Sequence, residues 1–303
     1  MSGLLERVAG APISWGVCEA PGWGHQLDPA RVLREMNEIG LRATELGPDG
    51  YLPTDPKRLQ SLLASYDMRL VGGFVPVVLH WADGLADELA QAARSADLLA
   101  ALGCKVLVLS AATGESGYEG TMELDANEWK RLVRAIDRVI ELGAERGLSV
   151  ALHPHFGTII ESPQQIERLL ESSTVPLCID TGHLLVGGSD PLEISRAARD
   201  RIEHVHLKDV AADLAEQIRE RRIGYHEAVG RGLYKPLGRG DIALEGIVGA
   251  LEGHGYRGWY VLEQDAVLET DPEEGRGPIR DARASLEFLT RAARGIEAGI
   301  SAG

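Results

Sequence analysis

Short runs of apolar and β-branched residues alternate along the chain with longer segments whose apolar residues recur at helical spacing. The short runs predict eight strands: PISWG near residue 12, RATEL at 42, RLVGGFV at 69, KVLVLSA at 105, LSVALHPH at 148, VPLCID at 175, IEHVHLKD at 202 and GWYVLEQD at 258. The longer segments predict amphipathic helices, for example over 29–39, 85–102, 127–146 and 163–170. This alternation implies parallel strands joined by crossover helices, and eight such strands close a (β/α)₈ TIM barrel.

The spacing is regular except before the last predicted strand, where residues 210–240 form an insertion. We expect a single domain over 1–303 that carries this insertion between strands seven and eight. The first half of the insertion has a helical pattern, and the second half, GRGLYKPLGRGD, is typical of a loop. Because it follows the C-terminal end of a barrel strand, it could be a substrate loop or lid. A solvated decoration or a subunit contact is equally compatible with the pattern.

Composition narrows the class of protein. The chain has 303 residues, of which 44% are hydrophobic and 25% charged, as is usual for globular proteins. Its formal net charge of −15 disfavours nucleic acid and anionic membrane surfaces as partners. The first ten residues, MSGLLERVAG, lack the apolar core of a signal peptide, and Cys18, Cys104 and Cys178 are spaced as free thiols. We therefore expect a cytoplasmic protein with a small-molecule substrate, and homo-oligomerisation is left open.

Polar side chains are expected to converge at the C-terminal ends of the later strands. Successive strand residues point to opposite faces, so the residue parity of each strand identifies its inward side chains. At these ends the inward residues are His153, His155, Asp180, His204, His206, Lys208 and Glu263. Buried ionisable groups cost free energy unless they are paired or bind a metal. A mixed set of imidazoles and carboxylates predicts a divalent cation, Mn²⁺ or Co²⁺ in the first place, with Mg²⁺, Fe²⁺ or Zn²⁺ as alternatives.

Other residues are candidates for substrate contacts. Glu45 ends the second strand and could contact a substrate hydroxyl, or form a surface salt bridge. His80 could enter the mouth of the barrel from the loop after the third strand. Trp15 and Trp23 could form walls against a sugar-like ring, and core packing is the competing interpretation.

Seven segments together carry a resemblance to a known family. They are APISWGVCEAPGWG, TELGPDGYLP, GGFVPVVLH, HPHFGTIIES, CIDTGHL, HVHLKDV and YVLEQD. These segments resemble the inosose dehydratases of inositol catabolism, within the xylose isomerase-like barrel superfamily of sugar isomerases and epimerases. The resemblance extends from Ala11 to Asp265.

The resemblance implies a set of metal ligands. In that superfamily the ligands come from strands five to eight as Glu, Asp, His and Glu, and the last three positions fall here on Asp180, His206 and Glu263. The first position falls on His153, a departure from the isomerase pattern. Either His153 is the fourth ligand, or it faces the substrate and Glu161 supplies the missing carboxylate.

The implied reaction is the removal of water from 2-keto-myo-inositol (inosose) or a related cyclic keto-polyol by a metal-dependent hydro-lyase, through an enediolate. We expect His155 and Lys208 to be the acid and base pair, with Glu263 or His183 as substitutes. The alternative is an inosose or ketose isomerase or epimerase, which uses the same enediolate. A non-catalytic binding protein is disfavoured because the metal ligands are retained, and a DNA-repair endonuclease of the superfamily is disfavoured by the acidic charge.

Overall fold

The computed structural model describes the backbone of residues 3–301 and the side chains of residues 3–296. Nine parallel strands form the main sheet: β1 (Val8–Gly10), β2 (Ala43–Glu45), β3 (Arg69–Gly72), β4 (Phe74–Val77), β5 (Val106–Ala111), β6 (Ser149–Leu152), β7 (Leu177–Asp180), β8 (Ile202–Leu207) and β11 (Tyr260–Leu262). A separate antiparallel pair consists of β9 (Asp209–Val210) and β10 (Tyr234–Lys235).

Eleven α-helices lie among the described residues. They are α1 (Pro29–Glu38), α2 (Pro56–Ser65), α3 (Leu85–Ala101), α4 (Ala126–Ala144), α5 (Pro163–Ser172), α6 (Thr181–Val186), α7 (Pro191–Ala197), α8 (Ala212–Arg219), α9 (Tyr225–Gly230), α10 (Leu244–His254) and α11 (Pro278–Ser301). The four helices predicted as examples are confirmed as α1, α3, α4 and α5, with ends that agree to within two residues. None of the described helices is both long and apolar enough to cross a bilayer.

The sheet closes into a barrel through the segment 69–77. The strand order runs β3-β2-β1-β11-β8-β7-β6-β5-β4, and β3 and β4 are joined at Gly73. The Gly72 carbonyl accepts a hydrogen bond from the Leu46 amide on one side, and the Gly73 carbonyl accepts one from the Val108 amide on the other. This segment therefore serves as one barrel strand with neighbours on both sides. The predicted α/β fold, a TIM barrel, is confirmed.

Two strand predictions need correction. PISWG is not a strand: Pro12–Trp15 form a 3₁₀ turn, and the first strand is Val8–Gly10 just before it. Pro12 lacks the amide hydrogen that a ladder needs, and Gly16 ends the turn in the left-handed conformation with φ 78°. RLVGGFV forms the third barrel strand as predicted, but it is divided at Gly73 into β3, which pairs with β2, and β4, which pairs with β5. An added Cβ at Gly73 would lie 3.0 Å from the Cβ of Leu46.

Apolar side chains fill the barrel interior below the C-terminal strand ends. One group consists of Ala9, Ala11, Ala43, Val71 and Val261, and a second of Val106, Val108, Ala151 and Cys178. A larger apolar cluster packs the outer face of the sheet against the helices. The three cysteines are buried free thiols, as predicted. With its lower layers filled, the barrel has room for polar groups only at its C-terminal mouth.

Asp209 organises the chain between β8 and α10. Its side chain is fully buried, and Oδ2 accepts hydrogen bonds from the amides of Gly238 and Gly240, each at 2.8 Å. Oδ1 accepts from the amides of Val210 at 3.0 Å and Ile242 at 3.1 Å. One carboxylate thus fixes the return of the 210–240 segment to the barrel.

Replacing Asp209 with Ala should lower the free energy of unfolding by about 2–4 kcal/mol, because four amides lose a charged acceptor. Urea denaturation followed by circular dichroism measures the change. The matched control is Glu216→Ala, since Glu216 is an exposed acid in the same segment and its loss should cost less than about 0.5 kcal/mol. Equal stability of the two variants would contradict this role of Asp209.

Candidate active site

The C-terminal ends of four neighbouring strands bring together the polar residues that strand parity predicts. His153 follows β6, Asp180 ends β7, and His206 lies near the end of β8 directly opposite Asp180. Glu263 follows β11, and its amide donates to the carbonyl of Leu207. All four side chains are buried, and Asp180 is 0% exposed.

Four atoms of these side chains that could bind a metal face one another. Nδ1 of His206 lies 3.6 Å from Oδ2 of Asp180 and 3.3 Å from Oε2 of Glu263. Nε2 of His153 lies 3.4 Å from the same oxygen of Asp180. Metal–ligand bonds of about 2.0–2.2 Å place neighbouring ligand atoms at roughly this spacing. The cluster therefore has the geometry of a site for one cation.

The chemistry of the cluster also fits a divalent cation. Among the described residues, Oδ2 of Asp180, Nε2 of His153 and Nδ1 of His206 are buried polar atoms without a hydrogen-bond partner. Four buried carboxylates lie in this region, those of Glu45, Asp180, Glu263 and Asp265. The buried ammonium of Lys208 forms ion pairs with the last three of them. Uncompensated buried charge is costly, so this excess of negative charge favours a bound cation.

Glu45 orients one of these imidazoles. Its Oε1 accepts hydrogen bonds from Nε2 of His204 at 2.8 Å and from Nε2 of His206 at 3.2 Å. With Nε2 bound to Glu45, Nδ1 of His206 faces the cluster and is the nitrogen that would bind a cation. Burial by itself would raise the pKa of Glu45, but the His206 and His204 rings hold it well below its usual value. The surface salt bridge considered for Glu45 is wrong, since the residue is 2% exposed.

Lys208 lies at the centre of the carboxylates. Its Nζ is 3.2 Å from Oδ2 of Asp180, 3.1 Å from Oε2 of Glu263 and 2.7 Å from Oδ1 of Asp265. Burial opposes the charge of this amine, but the three carboxylates raise its pKa well above the usual value. Lys208 is therefore protonated and can act as a proton donor.

His155 is prepared to accept a proton. Its Nδ1 lies 2.6 Å from the carbonyl oxygen of Phe156, which can only accept, so Nδ1 carries the hydrogen and Nε2 is free. Burial, with His153 and Lys208 nearby, lowers the pKa of His155 well below its usual value. The ring lies against His183, with centroids 3.6 Å apart. A neutral imidazole with a free Nε2 is suited to general base chemistry.

A cavity over these groups has apolar walls and a polar floor. Its floor includes His153, His155, His206, Lys208 and Glu263, and its walls include Pro12, Ile13, Trp23, Phe74 and Tyr118. Trp23 is fixed by a hydrogen bond from its indole to the carbonyl of Ala266. Its predicted position against the substrate is thus compatible with the structure.

Three predicted residues lie elsewhere. Oε2 of Glu161 accepts a hydrogen bond from the Gly157 amide and faces a different groove, because the turn that follows His155 carries it away from the strand ends. The indole of Trp15 donates to Glu35 within the core, which matches the packing interpretation. His80 does not line the cavity: its ring lies edge-on to Trp81, with centroids 6.1 Å apart, and its carbonyl accepts a hydrogen bond from Arg131 of α4.

Some cavity residues were not predicted. Asp265 lies two residues after Glu263, so in an extended chain its side chain points to the same face. The alternation along β11 was therefore sufficient to identify it. Tyr118 comes from the long loop between β5 and α4, which has no periodicity that predicts its direction. Phe74 follows the double glycine, where the predicted strand is divided.

Known proteins are similar to this chain in sequence and in fold. The xylose isomerase-like TIM barrel family matches residues 33–292. An inosose dehydratase of Geobacillus kaustophilus (strain HTA426) is 33% identical over 296 residues, which cover 94% of each chain. The rhizopine catabolism protein MocC of Rhizobium meliloti is 31% identical over 95% of this chain and 88% of its own. A solved structure, the probable 3-DHS dehydratase AsbF of Bacillus anthracis, has a TM-score of 0.69 at 16% identity, covering 94% of this chain and 98% of that one.

Replacing Glu45 with Gln should weaken Mn²⁺ binding about 10- to 100-fold, because His206 loses the carboxylate that orients its ring. Competition with a metal-chelating indicator measures the affinity. Glu203→Gln is the matched control, since Glu203 is exposed on the same strand as His206 and its loss should leave the affinity unchanged. Equal affinities of the two variants would show that Glu45 does not act on the site.

Proposed function

Because the chain belongs to the xylose isomerase-like TIM barrel family, we propose that it is a divalent-metal-dependent dehydratase of 2-keto-myo-inositol or a closely related cyclic keto-polyol. Similarity to inosose dehydratases over nearly the whole chain supports the substrate and a place in inositol catabolism. The observation that carries the proposal is the buried cluster of imidazoles and carboxylates beside a free imidazole nitrogen and a charged amine. We take the chain to act as one cytoplasmic domain, as predicted.

Asp180, His206 and Glu263 would hold the cation, with His153 as the fourth ligand. When bound, a divalent cation polarises the substrate carbonyl and stabilises the negative charge that develops on its oxygen. We expect Mn²⁺ or Co²⁺, since imidazole and carboxylate ligands suit both. The position of Glu161 in another groove favours His153 of the two candidates for the fourth ligand.

We assign the base to His155. Its free Nε2 would take the proton from the carbon next to the carbonyl, and its Nδ1 hydrogen bond to Phe156 would keep the ring in this tautomer. The ring of Tyr118 packs against the same imidazole, with centroids 4.5 Å apart, and limits the access of water to it. Loss of this proton yields the enediolate on which both dehydration and isomerisation depend.

We assign the acid to Lys208. Its ammonium would donate a proton to the hydroxyl on the β-carbon as the C–O bond breaks, so that the group leaves as water. One proton is taken by His155 and one is given by Lys208, and the substrate loses one water in total. The carboxylate of Asp265, 2.7 Å away, would keep the amine in place throughout.

The purified protein, loaded with Mn²⁺ or Co²⁺, should convert 2-keto-myo-inositol to a product that is lighter by one water in mass spectrometry. Removal of the metal by a chelator should abolish the activity, and its return should restore it. Asp180→Asn should be inactive with either metal, because it loses a ligand charge. A product with the mass of the substrate would indicate an isomerase or epimerase, and no product with several metals would exclude this substrate.

His155→Gln and Lys208→Met should separate the two proton transfers. In D₂O, loss of the base should suppress both α-proton exchange and dehydration, whereas loss of the acid should suppress dehydration and leave exchange, each by about 10²- to 10⁴-fold. Proton NMR measures exchange, and product mass measures dehydration. Lys130→Met, at an exposed lysine of α4, is the control and should leave both rates unchanged. Retained dehydration in the Lys208 variant would contradict the assignment of the acid.

A further inference from the structure

The 210–240 segment places two tyrosines next to the proposed acid. Tyr225 begins α9 and Tyr234 lies in β10, and they are 1% and 3% exposed. β10 pairs with β9, so that Tyr234 lies opposite Val210, two residues after Lys208. Nζ of Lys208 is 5.1 Å from the centre of the Tyr234 ring. The segment thus reaches the interior of the site.

These tyrosines complete a closed ring of polar contacts, in which four hydrogen bonds are joined by the ion pair of Lys208 with Asp265. The hydroxyl of Tyr225 donates to Oδ2 of Asp265 at 2.8 Å and lies 2.9 Å from the hydroxyl of Tyr234. The Tyr234 hydroxyl is 3.4 Å from Nδ1 of His183. Nε2 of His183 is 2.9 Å from Nζ of Lys208, and the same Nζ lies 2.7 Å from Oδ1 of Asp265. Every link of the ring is formed by buried polar atoms.

Donor and acceptor can be assigned in only one way along the hydrogen bonds of this ring. Tyr225 has a single hydroxyl hydrogen, which Asp265 accepts, so Tyr234 must donate to Tyr225. The Tyr234 oxygen can then only accept from Nδ1–H of His183. Nε2 of His183 is left without a hydrogen and accepts from the ammonium of Lys208. The ring therefore determines the tautomer of His183 and the direction of one N–H bond of Lys208, and the ion pair with Asp265 holds the ammonium in place.

Close packing keeps the ring together. An added Cβ at Gly182 would lie 2.7 Å from Cβ of Lys208 and 2.8 Å from Cε1 of Tyr234, so only glycine fits at this point of the DTGH motif. The start of α9 is held by Glu119, whose carboxylate accepts from the amides of Tyr225 and His226 at 2.8 and 2.9 Å. The two tyrosines are thus held by contacts with Glu119, Gly182 and Asp265, which lie in three different parts of the chain.

We propose that Tyr225 and Tyr234 are positioning residues that hold Lys208 and His183 in the arrangement required to protonate the leaving hydroxyl. The inference rests on the proposed dehydratase function. It gives the 210–240 segment a direct part in the reaction: the segment completes the acid side of the site, while the tautomer of the base, His155, is set by its own hydrogen bond to Phe156. The two tyrosines should therefore affect loss of water and leave removal of the α-proton intact.

Kinetics of Tyr225→Phe in the full-length, metal-loaded protein test this separation. We expect the kcat of dehydration to fall about 10- to 100-fold, from the loss of a hydrogen bond to a charged group, with KM and α-proton exchange within about twofold of wild type. Tyr260→Phe is the matched control, because Tyr260 is buried and its hydroxyl donates to Glu252, remote from the site. Unchanged dehydration, a parallel fall of both rates, or the same loss in Tyr260→Phe would overturn the proposal.

A second measurement does not need a substrate. Long-range ¹H–¹⁵N spectra of the ¹⁵N-histidine-labelled protein with Mg²⁺, assigned with His183→Asn, should show His183 protonated on Nδ1 in the wild type. Tyr234→Phe should leave the hydrogen on Nδ1, because the ammonium of Lys208 can only donate to Nε2, but it should move the Nδ1 resonance upfield, because Nδ1–H loses its acceptor. A proton on Nε2 in the wild type, or an Nδ1 resonance that Tyr234→Phe leaves unchanged, would overturn the ring. If the wild type dehydrates no inosose, the proposed function fails, and these spectra still decide the positioning role.

Discussion

Buried negative charge at the mouth of the barrel is the constraint on which the rest of the site depends. Glu45, Asp180, Glu263 and Asp265 are removed from water together, and the one amine of Lys208 balances only part of their charge. Such an arrangement is stable only if hydrogen bonds and cations satisfy the carboxylate oxygens. The imidazoles of His153, His204 and His206 contribute to this, because each contacts one or more of these carboxylates.

The barrel can hold this concentration of charge because apolar and polar side chains occupy different levels along its axis. Apolar side chains fill the lower interior, so the polar residues meet only where the strands end. Glu45 comes from β2 and reaches across the barrel to His204 and His206 on β8. Asp209, next to Lys208, uses its own carboxylate for backbone amides and so fixes the segment that brings Tyr225 and Tyr234 into the site.

A feature of the fold or of the site can be predicted from the sequence when neighbouring residues in the chain determine it. The alternation within strands is a short-range property, and it alone predicts that Asp180, His206, Lys208 and Glu263 share the inner face at which the structure brings them together. It was insufficient at Pro12 and at Gly73, where proline and glycine override strand propensity. Tyr225 lies in the half of the insertion with a helical pattern and Tyr234 in the half read as a loop, but neither pattern gives the direction of these side chains, which depends on contacts with Asp265 and Glu119 that are distant in sequence.

The free energy of unfolding as a function of Mn²⁺ concentration tests the central claim most directly, because a cation that balances the buried carboxylates must bind the folded chain more tightly than the unfolded one. The wild type should gain about 2.7 kcal/mol when free Mn²⁺ reaches about 100 times its dissociation constant. Asp180→Asn should gain little under the same conditions, because it lacks a ligand of the cluster. A wild-type stability that does not change with Mn²⁺, Co²⁺ or Mg²⁺ would contradict the account.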